Sequence, residues 1–290
     1  MKKFVYYLLG LLLAILLAAY LLDYTFTAFY TNSKPRNKIA LAYTGTAQEY
    51  DVIFLGSSRA NNHFVPQLFI DRGLTAYNFG MSGSRLEESA LLLQLLLAKG
   101  AKIKSLIVEV DLNINSNGYS EGTRANFYPY LNQSDLISSY YKNIADFDKL
   151  YYLPFYRYLK YDAKIGMREL FFTVAKRPSK NLQHYGFYPL KNTGKDMKYD
   201  LSKHYPKKNR AYETIKKICS ENHIRLIAVT TPMCENVKNI AYFEEVVQLY
   251  PEVHNFEDVV TDEDCFSSCG HMNEKGAKVF TQFLLDKFFK

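Results

Sequence analysis

The sequence predicts an α/β domain, a three-layer α/β/α sandwich around a parallel sheet, preceded by one N-terminal membrane helix. Two observations predict it. Short apolar runs of strand type alternate with helical stretches along most of the 290 residues, which suits a parallel sheet covered on both faces. The chain also opens with Phe4–Leu22, 19 residues without a charge, where spanning a bilayer as a helix takes about 20.

That opening run follows Lys2 and Lys3 and reaches Asp23, with no basic residue before Lys34. The charge asymmetry places the N-terminus in the cytoplasm and the remainder on the extracytoplasmic side. The competing reading is a cleaved signal peptide, for which Ala18-Ala19 is a weak cleavage match. The length of the run and its continuation through Leu22 favour a retained anchor. Residues 24–48 then read as a stalk, and 49–290 as one domain long enough for a real core.

Within the domain, Asp51–Leu55 and Thr75–Phe79 read as the first two strands. Arg85–Lys99 is an apolar helix with Glu87 and Glu88 in its first turn, where the helix dipole favours acids. Ser105–Asp111 and Ile224–Thr230 are two further strands, the second preceded by a helix over Arg210–Asn222. Glu274–Phe289 closes the chain as a helix. Residues 117–205 break the alternation. Dense in tyrosine and interrupted by Pro154, they read as a mostly helical insertion. Most of the tyrosines are expected to pack it, and a few to shape a groove.

The formal charge of +7 is modest, and two of those charges flank the anchor. No lysine-rich nucleic-acid stripe and no internal repeat is present. The four cysteines permit disulfides outside the cytoplasm. Cys219 shares a helix face with Ile215 and Ile218 and reads as a buried thiol. A bridge from Cys234 to Cys265 or to Cys269 would tie two C-terminal loops, and spacing leaves both partners open. Cys265 and Cys269 lack the ligand set of a zinc site, so no metal and no cofactor is expected.

Parallel sheets collect functional groups beyond the carboxyl ends of their strands. Three loops in such positions hold reactive residue types: Gly56-Ser57-Ser58-Arg59, "NFGMSGSR" from Asn78, and "CGHMNEKGAKVF" with His271 just before the last helix. Each alone could be a turn or a cap. The G-x-S-x-G elbow is not matched, because Ala60 stands where the second glycine would be. A phosphate-binding reading of Gly56 lacks a longer glycine-rich loop and an acid for ribose.

In their order, the three loops resemble the blocks of the SGNH (GDSL-like) hydrolase superfamily, whose fold is flavodoxin-like. The "GSSR" start, the "HMNEKGA" end and the anchor look most like its envelope members, such as DltD of teichoic-acid D-alanylation and proteins of polysaccharide O-acetylation. The resemblance implies Ser58 as nucleophile, His271 as base and Gly83 as an oxyanion-hole donor, with Asn113 as a candidate second donor. The family's aspartate three residues before the histidine is Ser268 here. Ser268 could orient the imidazole without charging it, or Asp264, Asp262 or Asp258 could reach in. Arg59 would bind an anionic substrate or support the loop by pairing with a carboxylate such as Asp111, the favoured reading. His63 reads as a packing residue, and Ser57, Ser82 and Ser84 as minor alternatives to Ser58.

The expected function is an extracytoplasmic serine esterase or O-acyltransferase acting on envelope carbohydrate through a Ser58 acyl-enzyme. Its expected partners are the membrane, an envelope polysaccharide or acylated glycan, and a membrane protein that donates acyl groups. Nucleic acid is not among them. The alternative is a non-catalytic envelope binding or assembly subunit on the same fold, favoured by Ser268.

Overall fold

A computed structural model describes residues 1–290. The chain is mixed α/β and divides into two compact units. One comprises Thr46–Thr123 and Ser179–Lys290, the other Met1–Gly45 and Arg124–Pro178.

The larger unit is built on a sheet of four parallel strands: β1 (Glu49–Leu55), β2 (Ala76–Asn78), β3 (Lys102–Glu109) and β4 (Arg225–Val229), in spatial order β2-β1-β3-β4. The register sets Ile53 beside Tyr77 and Leu106, and Leu106 beside Leu226. Val52 to Leu55 and Leu106 to Val108 are fully buried. Their unbroken apolar runs, rather than an in–out alternation, are what a strand covered on both faces needs. Helix Leu86–Ala98 contributes its leucines to the same core, and the closing helix Glu274–Phe288 adds Phe280, Leu284 and Leu285. Asn273 caps that last helix, its Oδ1 accepting from the Lys275 and Gly276 amides.

In the smaller unit, helix Lys2–Asn32 is long and apolar enough to cross a membrane. Where a stalk was expected after Leu22, the helix runs on to Asn32, and a second helix, Lys38–Thr44, follows with Asn37 as its cap. Phe26 and Tyr30, one turn apart, are buried together with Ile39 and Ala42, so these residues form core rather than tether. Residues 124–178 supply the other side of that core with short helices. Tyr128, Tyr130, Tyr141 and Tyr158 are buried almost completely. Tyr43 stacks on Tyr130 with centroids 4.1 Å apart, and the Tyr158 hydroxyl meets Thr27 Oγ1 at 2.8 Å. These four tyrosines thus pack the insertion, aromatic faces inward. Asp23 is the first charge after the apolar run. It accepts from the Phe155 amide and from buried Arg157, each at 2.7 Å.

Candidate functional site

β1 stops at Gly56 for a steric reason. The residue has φ +140°, and a Cβ there would lie 2.7 Å from Glu109 Oε2 and 2.9 Å from the Ala60 methyl. Only glycine lets the chain turn this tightly against the end of β3. Ser57 then caps the short helix Ser58–His63, accepting from the Arg59 amide at 3.2 Å. Ser58 is left half-buried in the first turn.

His271 arrives from the other end of the domain. It lies in a short antiparallel pair, Phe266–Ser268 with His271–Met272, in which Ser268 stands opposite His271. Ser58 Oγ is 2.8 Å from His271 Nε2, and Ser268 Oγ is 3.3 Å from His271 Nδ1. A disulfide joins Cys234 to Cys269, between Ser268 and His271. The Cys234 amide also donates to the Cys269 carbonyl at 3.1 Å. Of the two pairings the sequence left open, the structure forms this one and leaves Cys265 and Cys219 as buried thiols.

Asp264, which the sequence offers as a candidate acid, takes no part in orienting the histidine. It is exposed in a turn capped by Asp262, whose own carboxylate pairs with Lys275. The group at Nδ1 is the uncharged Ser268 hydroxyl. Burial, with a smaller contribution from the Arg59 charge, lowers the His271 pKa to about 4. The ring is therefore neutral at pH 7. With Nδ1–H donated to Ser268, its Nε2 lone pair faces Ser58.

Beneath the pair lies a buried polar cluster. Arg59 Nε is 2.8 Å from Asp111 Oδ2, with both side chains essentially inaccessible. The guanidinium also donates to Thr231 Oγ1 and to the Thr231 and Pro232 carbonyls. Asp111 accepts from the Thr231 amide and hydroxyl at 2.7 and 2.8 Å. Burial raises the Asp111 carboxyl pKa and Arg59 draws it back. With three donors on its two oxygens, the ionised form is the one this network fits. Arg59 thus has no free face for a substrate and acts as loop support.

His63 completes the cluster and sits behind the His271 ring. Its Nε2 accepts the Met272 amide at 3.0 Å, so the proton must be on Nδ1, directed at Thr231 Oγ1 2.9 Å away. Burial first, then Arg59 and His271, push its pKa well below the usual histidine range. His63 is a fixed neutral spacer that sets the height of the strand carrying His271.

The glycine loop is fastened to the serine turn. Ser84 Oγ and the Met81 amide both donate to the Gly56 carbonyl, and Asn61 donates to Ser82 Oγ at 3.1 Å. Gly83 is exposed at φ +77° in this loop. Asn113 lies just past β3, with its Nδ2 3.4 and 3.5 Å from the two oxygens of Glu109.

Glu109 was not singled out from the sequence. It is buried, and its Oε2 accepts the Ser57 amide and hydroxyl, both at 2.7 Å. Its signal was there: one acid inside the apolar strand "SLIVEVD". Thr231, equally central, had no signal of its own. No group of three or more His, Cys, Asp or Glu is placed to hold a metal ion.

No family model matches the chain, and no curated protein matches it. Among solved structures, one from Streptococcus pneumonia, provisionally described as a platelet activating factor, aligns over 97% of this chain and 98% of its own. The identity is 13% and the TM-score 0.42.

Proposed function

We propose that the protein is an SGNH-type serine esterase or O-acyltransferase, anchored in the cytoplasmic membrane and acting on acylated carbohydrate of the cell envelope. The observation that carries this is the 2.8 Å contact between Ser58 Oγ and Nε2 of His271, whose pKa burial holds well below 7. A serine hydroxyl becomes a useful nucleophile when a base in hydrogen-bond reach takes its proton.

In this reading Ser58 Oγ attacks the ester carbonyl while His271 Nε2 takes the hydroxyl proton. The Ser58 and Gly83 amides, with the second N–H of Asn113, receive the carbonyl oxygen as it becomes negative. The imidazolium passes its proton to the departing alkoxide, leaving an acyl-Ser58. His271, neutral again, deprotonates water or a sugar hydroxyl, which attacks the acyl carbon, and the imidazolium returns the proton to the departing Ser58 Oγ. Arg59, Asp111, His63 and Thr231 hold the two reacting groups at their spacing. Lys2 and Lys3, ahead of the apolar run, and the Cys234–Cys269 disulfide support an extracytoplasmic domain.

A second reading, a non-catalytic envelope subunit, is favoured by one observation, the hydroxyl of Ser268 where a carboxylate would stabilise the imidazolium. Fluorophosphonate labelling followed by intact-mass measurement separates the two. The enzyme reading expects one adduct on wild type, none on Ser58→Ala, and labelling slowed at least about 100-fold in His271→Ala. An unlabelled, folded wild-type protein would leave the binding-subunit reading in its place.

A further inference from the structure

The smaller unit exposes large apolar side chains beside the point where the apolar helix ends, and nothing described so far uses them. Tyr152 and Leu159 are 66% exposed, Leu153 49% and Tyr24 74%. The apolar run Phe4–Leu22 would span about 28 Å as a helix, which matches a bilayer's hydrocarbon thickness of roughly 30 Å. Asp23 then falls in the headgroup layer. Its two carboxylate oxygens hold the Phe155 amide and the Arg157 guanidinium. Phe155 also packs edge-on to Phe26 at 4.9 Å. Phe155 and Arg157 are therefore pinned at the level of Asp23, and the exposed Tyr152, Leu153 and Leu159 lie within three residues of one or the other.

We propose that this segment lies in the membrane interface, with Tyr152, Leu153 and Leu159 in contact with the outer edge of an anionic bilayer. The proposal rests on the membrane-spanning reading of the first helix. Three features fit a lipid partner. The exposed apolar side chains stand on the segment that the Asp23 bonds fasten to the apolar helix. Tyrosines dominate it, Tyr20, Tyr24 and Tyr152 being exposed and Tyr151 and Tyr156 half-exposed, and amphipathic rings settle at headgroup depth. Residues 124–178 hold nine basic and five acidic residues, a positive excess that suits acidic headgroups. Asp23 itself is neutralised by Arg157, so the boundary of the span carries no unpaired charge into the interface.

The protein has no tryptophan, so a single introduced indole reports one position. Full-length Leu153→Trp and Leu159→Trp variants would be reconstituted in phosphatidylcholine–phosphatidylglycerol vesicles, with or without bromine on the upper acyl chains. Leu12→Trp serves as the reference within the span. A ring lodged about 5–10 Å into the headgroup boundary should be quenched roughly two-fold by the shallow bromines. Omitting phosphatidylglycerol should weaken that quenching. Quenching at position 12 with none at 153 and 159 would overturn the proposal while leaving the anchor in place. No quenching at any of the three would overturn both. Quenching that ignores headgroup charge would overturn the choice of an anionic surface.

Discussion

Replacing Ser268 with aspartate should make the Ser58–His271 pair faster, and the structure sets by how much. The Ser268 hydroxyl oxygen is 3.3 Å from His271 Nδ1, so a carboxylate there would put its charge about 4 Å from the imidazolium formed during attack. Two unit charges at that distance interact by about 4 kcal/mol near a protein surface. Ser268 is exposed, and solvent screening cuts such a pair to about 1 kcal/mol. That corresponds to a roughly five-fold faster reaction. The same stabilisation raises the His271 pKa from about 4 by a little under one unit. Because the base must be neutral to accept the serine proton, reactivity falls on the acid side, and the variant's acid limb should move to higher pH. The assay is the second-order rate of fluorophosphonate labelling of Ser58 between pH 3.5 and 8. A rate no higher than wild type, with the acid limb unmoved, would show that Nδ1 does not face residue 268 as described.

Three other outcomes are expected. Arg59→Met strips buried Asp111 of its counter-charge and should cost about 3–5 kcal/mol in urea unfolding, while the double variant Arg59→Met/Asp111→Leu should recover part of that loss. Glu109→Gln can keep an oxygen for Ser57 only by placing its NH2 where Oε1 faces Asn113 Nδ2, donor against donor, which should cost about 1–3 kcal/mol of stability and slow Ser58 labelling with little change in its pH profile. His271 is held neutral in the folded state, whereas the unfolded chain protonates it near pH 6.5. Its contribution to stability is thus present above that pH and lost as the pH falls toward about 4. Urea midpoints of His271→Asn should accordingly drop less than those of wild type between pH 7 and pH 5.

The strands were legible because burial on both faces writes an unbroken apolar run, as in Val52–Leu55. Element ends were legible where a cap or breaker marks them, as Asn273 does for the last helix and Gly56 for β1. Ser58 and His271 could be picked out through the order of their loops, each of which alone reads as a turn or a cap. Of the residues that position them, the Arg59–Asp111 pair could be, and Thr231 and the contacts of His63 could not. Thr231 and His63 matter through contacts more than 160 positions apart in the chain, and nothing local records such a contact. Glu109 was visible as a charge in an apolar strand, but its role depends on the Ser57 hydroxyl pointing back at it. The stalk was misjudged for a related reason: Phe26 and Tyr30 need Tyr158 as partner before their spacing means core.

The two ends of the reacting pair are 213 residues apart in the sequence. A ribosome must add more than two hundred residues after Ser58 before His271 exists. On the proposed function, a chain cut short before His271 carries Ser58 with nothing to deprotonate it and stays silent, however well its sheet has folded.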